Sequence, residues 1–389
     1  MVVGARGTGK STSLTTFADT TLDLSVPAVR TALSEDPDGV IAGIEGVLLV
    51  DEWQELPDIL GAVKRAVDGV GNPGPERFLI TGSVRARHQA ATWPGTGRFV
   101  RVRMHGLTQA ELEANNVYNP VDAFFDISAP GFHHSDLSRS DYLDRIVMGR
   151  FPAVTDLTGR SRSRWFSAYI EQLIDRDAQQ VSERTTQPAK LRAVLNSCMA
   201  RTGNELNKDA TARDAGVDFR TAEYYLGLLE DLSVAMRVPA WSTTRLKRLT
   251  QTPKVHVLDP GMACHVLNAD ASVLGSDAAL VGQLFETFVA AEIATHVETA
   301  NEQTELFHFR DRDGHEVDLV LEQRGQIVGL EVKSSVSVDR SDAKGLIWLR
   351  DKLGELFHYG AVLYSGTIPF QIDERIWALP LSTLWQTPK

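Results

Sequence analysis

The chain has 389 residues, with 40 Lys+Arg against 51 Asp+Glu for a net charge of −11, 43% hydrophobic residues and two cysteines. At about 100–200 residues per domain this length holds two or three cores, and the composition excludes intrinsic disorder and small disulfide-stapled scaffolds. Cys198 and Cys264 are too few and too far apart for a thiolate metal site, which fits a reducing cytoplasm. No run of residues is expected to approach the roughly 20 apolar residues of a membrane span, and the N-terminus lacks a signal peptide's apolar stretch. Net acidity argues against a protein that coats nucleic acid along its whole surface. Residues 150–254 nonetheless carry +5 while the remainder carries −16, so one local anionic partner is expected in the middle of the chain.

The first element is short. Met1-Val2-Val3 lead into Gly4-Ala-Arg-Gly7-Thr8-Gly9-Lys10-Ser11-Thr12, which fits G-x-x-x-x-G-K-[ST], the Walker A phosphate loop. Glycines let backbone N–H groups close around a β-phosphate, Lys10 reaches the β- and γ-phosphates, and the Ser11 hydroxyl ligates Mg²⁺. Read blandly, the same residues are a glycine-rich turn before a helix. Further on, Gly46-Val-Leu-Leu-Val50 is a buried-strand run that ends in Asp51-Glu52, the Walker B form. Asp51 can hold Mg²⁺ through water, and Glu52 can orient or deprotonate the attacking water, which points to hydrolysis rather than mere nucleotide holding. Trp53 packs either beside this site or in the core. A third strand, Phe78 to Ile80, ends in Thr81-Gly82-Ser83, where hydroxyls suit a γ-phosphate sensor or a capped loop, and a fourth is expected at Phe99 to Val102. Short β-branched runs alternating with helical stretches predict an α/β fold with a parallel sheet over residues 1–145.

Residues 146–274 read as mainly helical, with Leu191, Val194, Leu195 and Cys198 at helical spacing. Leu206 to Ala215, a turn at Gly216 to Asp218, and Phe219 to Leu232 form a helix-turn-helix pattern, with Gly216 closing the first helix and Asp218 capping the second. Glu223, Glu230 and Asp231 on the second helix speak against base reading by it. The basic cluster Arg245, Lys247 and Arg248 with Lys254 is the expected phosphate contact for DNA, the alternative being a structural bundle. His133 and His134 lie in a soft stretch, Val121 to Ser140, and are expected to be solvated.

Residues 275–389 open with a helix, Gln283 to His296, followed by strands at Leu306 to Phe309, Glu316 to Glu322, Ile327 to Lys333 and Ala361 to Tyr364. A two-residue turn at Arg324-Gly325 sets a hairpin register in which Gln323 faces Gln326, Leu321 faces Val328, Leu319 faces Leu330 and Val317 faces Val332, giving one wholly apolar face. That register sets Asp318 opposite Glu331 and Glu316 opposite Lys333, at Cβ separations of about 4.5–5.5 Å. Facing carboxylates repel unless a cation lies between them, and Mg²⁺ with Lys333 beside it suits phosphodiester chemistry. The bland reading is a surface hairpin with a Glu316–Lys333 ion pair of little weight. Arg324 stands where positive φ is required, so a bulged turn would shift the register.

These motifs, with Asp51-Glu52-Trp53-Gln54-Glu-Leu-Pro57, Gly97-Arg98, His105-Gly-Leu107-Thr-Gln-Ala-Glu111, Gly149-Arg-Phe-Pro152, Tyr169 to Asp177 and Leu258-Asp-Pro-Gly261, resemble a prokaryotic family of AAA+-like ATPases with a C-terminal domain of unknown function. The likeness covers nearly the whole chain. It implies an ATPase module using ATP and Mg²⁺, a winged-helix-like middle and a restriction-endonuclease-like C-terminal fold, PD-(D/E)xK in kind. By that likeness Arg98 contacts phosphate in the same or a neighbouring subunit of a homo-oligomer. Asp318, Glu331 and Lys333 follow the nuclease signature, and Glu286 occupies the place of a helix-borne acid. The family has a longer lead-in before its phosphate loop, whereas a launching strand here has three residues against a usual five or six or so. The expectation is a start further upstream, the alternative being a weakened nucleotide domain.

Overall fold

The structure, a computed structural model, describes residues 1–69, 77–82, 97–114, 119–126, 134–182 and 186–386. Ser83 and His133 lie outside the described residues; His134 is exposed, as expected. The chain divides into two compact units, one of Met1–Gly106, Asp175–Thr186 and Asp231–Ser233, the other of Leu107–Ile174, Gln187–Glu230 and Val234–Lys389.

The first unit is built on a parallel sheet of β1 (Val2–Val3), β2 (Thr20–Asp23), β3 (Leu48–Asp51), β4 (Phe78–Gly82) and β5 (Val102–Arg103), in the order β2-β3-β4-β1-β5. Short as it is, β1 is central: Val2 and Val3 pair with Thr81 and Gly82 on one side and with Val102 and Arg103 on the other. Leu48, Val50 and Ile80 are fully buried and pack with Leu24, Leu33, Ile59 and Val63, so the helix Ile59–Asp68 and its neighbours close one core on β3 and β4. Two details differ from the sequence expectation. The polar edge strand Thr20-Thr-Leu-Asp23 lacks the apolar run that marks a buried strand and was not anticipated, and the final strand begins at Val102 rather than Phe99.

In the second unit the helices Lys208–Asp214 and Phe219–Asp231 take the expected places. Gly216 closes the first at φ 62°, and Asp218 Oδ1 accepts from Thr221 N at 3.0 Å at the start of the second. A small antiparallel sheet follows, β6 (Asn204–Glu205), β7 (Ala235–Val238) and β8 (Lys254–Val257), in the order β6-β8-β7. Two acids of the second helix are spent internally, Glu223 on Lys208 and Arg237, and Glu230 on Arg237.

The C-terminal sheet has six strands in the order β13-β14-β12-β11-β10-β9: β9 (Thr304–Arg310), β10 (Glu316–Gln323), β11 (Gln326–Lys333), β12 (Phe357–Tyr364), β13 (Phe370–Asp373) and β14 (Ile376–Pro380). Strands β9, β10 and β11 are antiparallel neighbours, whereas β11, β12 and β14 run parallel. The helices Ala278–Glu298 and Lys344–Leu353 pack on this sheet. By length and composition Ala278–Glu298 could cross a membrane, which corrects the expectation that no segment comes near that length. Its Leu284, Phe285, Phe288 and Ile293 are instead buried in the protein, together with Glu292 and His296. Arg150, itself 1% exposed, ties this helix down by donating to Ala291 O at 2.8 Å, Thr295 Oγ1 at 2.8 Å and Leu107 O at 3.0 Å.

Candidate nucleotide site and carboxylate cluster

Gly4 leaves β1 so close to the end of β5 that a Cβ at this position would lie 2.0 Å from Met104 O, which only glycine tolerates. Gly7 and Gly9 have φ of 80° and 93°, the left-handed region that lets the loop curl back before the six-residue helix Lys10–Thr15. Thr8 Oγ1 donates to Ala5 O at 2.9 Å and pins the curl. Lys10 Nζ lies inside it, donating to Gly4 O at 3.0 Å and Ala5 O at 2.7 Å. Burial lowers the Lys10 pKa to about 8, against the opposing pull of Glu52 and then Asp51. Ser11 and Thr12 follow on the helix, Ser11 half-buried and Thr12 exposed.

Asp51 ends β3 and is 8% exposed; its Oδ1 accepts from Thr81 Oγ1 at 3.0 Å and from Glu52 N at 3.0 Å. Because β4 lies between β1 and β3, its last residues reach the strand-end acid on one side and pair on the other with Val2 and Val3, which lead into the phosphate loop. Glu52 takes φ 53°, unusual for a residue with a side chain, and its carboxylate accepts from Gln54 Nε2. Trp53 is core, 1% exposed among Leu48, Val50 and Ile80. Arg98 forms a two-pronged pair with Asp68, at 2.7 and 2.9 Å. Two groups that sequence reasoning passed over belong here. Arg6, within the loop, pairs with Asp177 at 2.6 Å, and Asp177, 5% exposed, adds to the negative field at Lys10. Asp177 closes a single π-helical turn, Leu173–Asp177, an irregularity that often marks functional positions.

These residues fit a Mg²⁺-bound nucleoside triphosphate. The loop has two glycines in the left-handed region, an ammonium that donates to the loop carbonyls of Gly4 and Ala5, and a hydroxyl and a carboxylate of the kinds that Mg²⁺ prefers.

The carboxylates of the C-terminal sheet are arranged differently from the expectation. From Leu319 to Gln323 the hairpin keeps the expected register, and Arg324 accepts φ 49° with Gly325 at 82°, so no bulge forms at the turn. The irregularity lies elsewhere, between Val317 and Val320, where β10 bulges against β9. Val317 therefore joins Val320, Leu346 and Leu349 in one cluster, and the simple alternation of a single apolar face fails there. Nor is the hairpin on the surface, since Val317, Leu319, Val320 and Leu321 are fully buried.

Lys254, expected at a phosphate, is 2% exposed, and its Nζ is 2.8 Å from Glu286 Oε1, 2.9 Å from Glu316 Oε1 and 3.3 Å from Asp318 Oδ1. Glu316 is thus taken by Lys254 rather than by Lys333, which pairs with Glu331 at 2.8 Å. The remaining Asp318 oxygen, Oδ2, accepts from Val332 N at 2.9 Å. Burial works to lower the Lys254 pKa; Asp318, Glu286 and Glu316 more than offset that and raise it. Burial and then the Asp318 charge raise Glu286 well above the usual carboxylate range and push Glu331 up to about 8. His256, wholly buried with Nε2 3.6 Å from Glu286 Oε1, is held well below its usual pKa by burial and by Lys254. Among the described residues no group of three or more His, Cys, Asp or Glu is disposed to hold a metal ion.

The rest of the basic cluster is also partly spent. Arg248 pairs with Glu322 at 2.7 Å and lies over Trp241 and Phe307, and the Arg245 side chain falls outside what is described. Lys247 instead lines a cleft of about 920 Å³ with Arg310, Arg312, Lys352 and Trp348. Trp348 there forms a column of rings with His315 at 4.6 Å and Phe309 at 5.3 Å.

A parallel sheet that carries a phosphate loop, a buried lysine and a strand-end acid defines a P-loop nucleotide-binding unit. Comparison with known proteins agrees, for residues 1–113 match the family model described as AAA domain. Residues 139–273 match a Domain of unknown function (DUF8612), and residues 281–384 match a Domain of unknown function (DUF4143). The uncharacterized proteins Mb2031c of Mycobacterium bovis and Rv2008c of Mycobacterium tuberculosis are each 26% identical over 396 residues, spanning 100% of this chain and 81% of the relative. The N-terminal AAA-like domain and the C-terminal domain of unknown function are therefore those that the sequence resemblance implied.

Proposed function

We propose that the protein is a Mg²⁺-dependent ATPase of AAA+ kind, cytoplasmic, whose nucleotide state is passed to a winged-helix-like middle (146–274) and a restriction-endonuclease-like C-terminal part (275–389). The observation that carries this reading is the joint placement of Lys10, Asp51 and Glu52, with Thr81 fixing the Asp51 carboxylate. Lys10 would balance the negative charge of the β- and γ-phosphates, Ser11 and Asp51 would hold Mg²⁺, and Glu52 would take the proton of the attacking water. Bound Mg-ATP supplies the phosphoanhydride whose cleavage drives the change. Arg98, paired with Asp68 within one chain, would exchange that partner for a phosphate at a homo-oligomer boundary.

The test is Mg²⁺-dependent ATP hydrolysis by the purified chain. Lys10→Ala is expected to lose nucleotide binding, and Glu52→Gln to keep binding while turnover falls by roughly 10²-fold or more. Turnover that survives both substitutions would sink the reading.

The cleft favours a second ligand class, single-stranded nucleic acid. Lys247, Arg312 and Lys352 pair with no carboxylate among the described residues, and aromatic rings beside such cations are the pairing that stacks bases and tracks phosphates. Oligonucleotide binding followed by fluorescence anisotropy should weaken in Trp348→Ala, and Lys352→Ala should flatten the logarithmic salt slope by about 0.7. An unchanged slope would remove Lys352 from the interface.

A further inference from the structure

The nuclease resemblance assigns a divalent cation to the cluster of Glu286, Asp318 and Glu331, and the geometry found there disagrees with that assignment. We infer that Lys254 is the resident cation of this cluster, that the cluster takes no divalent ion while Lys254 is seated, and that it serves as a buried clasp joining β8 to the C-terminal sheet. The inference rests on the restriction-endonuclease-like reading only for where a metal would be expected.

Three features carry it. An ammonium has three N–H donors and no acceptor, and Lys254 Nζ has three carboxylate oxygens within 3.3 Å, one on the helix Ala278–Glu298 and two on β10, so every donor has a partner. Mg²⁺ demands oxygens at about 2.0–2.1 Å in octahedral array. The oxygens around Nζ stand at 2.8–3.3 Å, a spacing that suits an ammonium, and a second positive charge beside it would be repelled. Finally, Lys254 is held from both sides. Its backbone pairs with Glu205 of β6 and with Val238 of β7, so Nζ leaves the cluster only if the chain around β8 gives way.

The experiment is Mn²⁺ binding to the full chain without nucleotide, followed by electron paramagnetic resonance, with plasmid cleavage assayed in parallel. Wild type and Asp318→Asn should bind Mn²⁺ equally, with no ion attributable to the cluster. Lys254→Met should gain one Mn²⁺ at least tenfold tighter than anything in wild type, and its melting temperature should rise on adding Mn²⁺ where that of wild type does not. Wild-type uptake that vanishes in Asp318→Asn overturns the inference, as does a folded Lys254→Met that gains no ion. If Lys254→Met does not fold, the comparison of wild type with Asp318→Asn still decides. The nuclease reading fails separately. Uptake by Lys254→Met without cleavage upholds the clasp and removes the nuclease, whereas wild-type cleavage lost in Asp318→Asn removes the clasp and upholds the nuclease.

Discussion

Lys10 is buried within the phosphate loop, and this sets a pH dependence. Burial lowers its pKa in the free protein to about 8, and neighbouring phosphates can only raise it. Below about 8 the lysine is already charged and its share of nucleotide affinity is complete. Above about 8 binding must first take up a proton, so affinity falls as pH rises, down to a floor reached at the higher pKa of the complex. Fluorescent ATP-analogue titrations between pH 7 and 9.5 should show this decline in wild type and not in Lys10→Met; a flat wild-type profile would mean that the charge of Lys10 does not contribute. The grouping of Lys10 with Asp51 and Glu52 was legible because a phosphate loop and a strand-end acid have fixed local spacing. Lys254 was misread because its sequence neighbours Lys247 and Arg248 suggested a basic patch, while its actual partners lie at 286, 316 and 318. One local signal was available: Lys254-Val-His-Val257 is a strand whose four residues are all buried, where a lysine needs an acid.

Among the elements, the hairpin β10–β11 was readable because a two-residue turn and a repeat of two leave little choice of register. The bulge at Val317–Val320 was not, since alternation in sequence does not say where a strand takes an extra residue. That bulge, together with the helix Lys344–Leu353, bears on the carboxylates. A Cβ added at Gly345 would fall 1.8 Å from the backbone oxygen of Glu316, one of the three residues that hold Lys254. Backbone on both sides leaves nothing flexible to yield. Gly345→Ala should therefore cost about 2–3 kcal/mol in urea unfolding, within the range for overpacked interiors. A neutral result would show that the helix slides on the sheet at little cost.

For the molecule as a whole, the sequence revealed the order of chemistry along the chain but not how the chain is shared out. Composition and motifs are read contiguously, whereas the first compact unit also draws on Asp175–Thr186 and Asp231–Ser233, so the backbone passes between units five times. One crossing has a consequence for the proposed switch. Asp177, the partner of the phosphate-loop residue Arg6, lies three residues past the crossing at Ile174, and the helix Pro188–Ala200 begins just after the next crossing at Thr186. A change at the phosphate loop that alters the Arg6–Asp177 pair is thus placed to pull on backbone that continues into the second unit on both sides. Hydrogen exchange with and without a non-hydrolysable ATP analogue should show protection at residues 4–12 and a second change within 187–200. Asp177→Asn should leave analogue affinity within about threefold, since an amide still accepts from Arg6, yet should lose the second change because the charge that makes the pair responsive is gone. If the distal change persists in Asp177→Asn, the signal runs by another route; if wild type shows none, the nucleotide does not control the second unit, and the ATPase reading would stand without its switch.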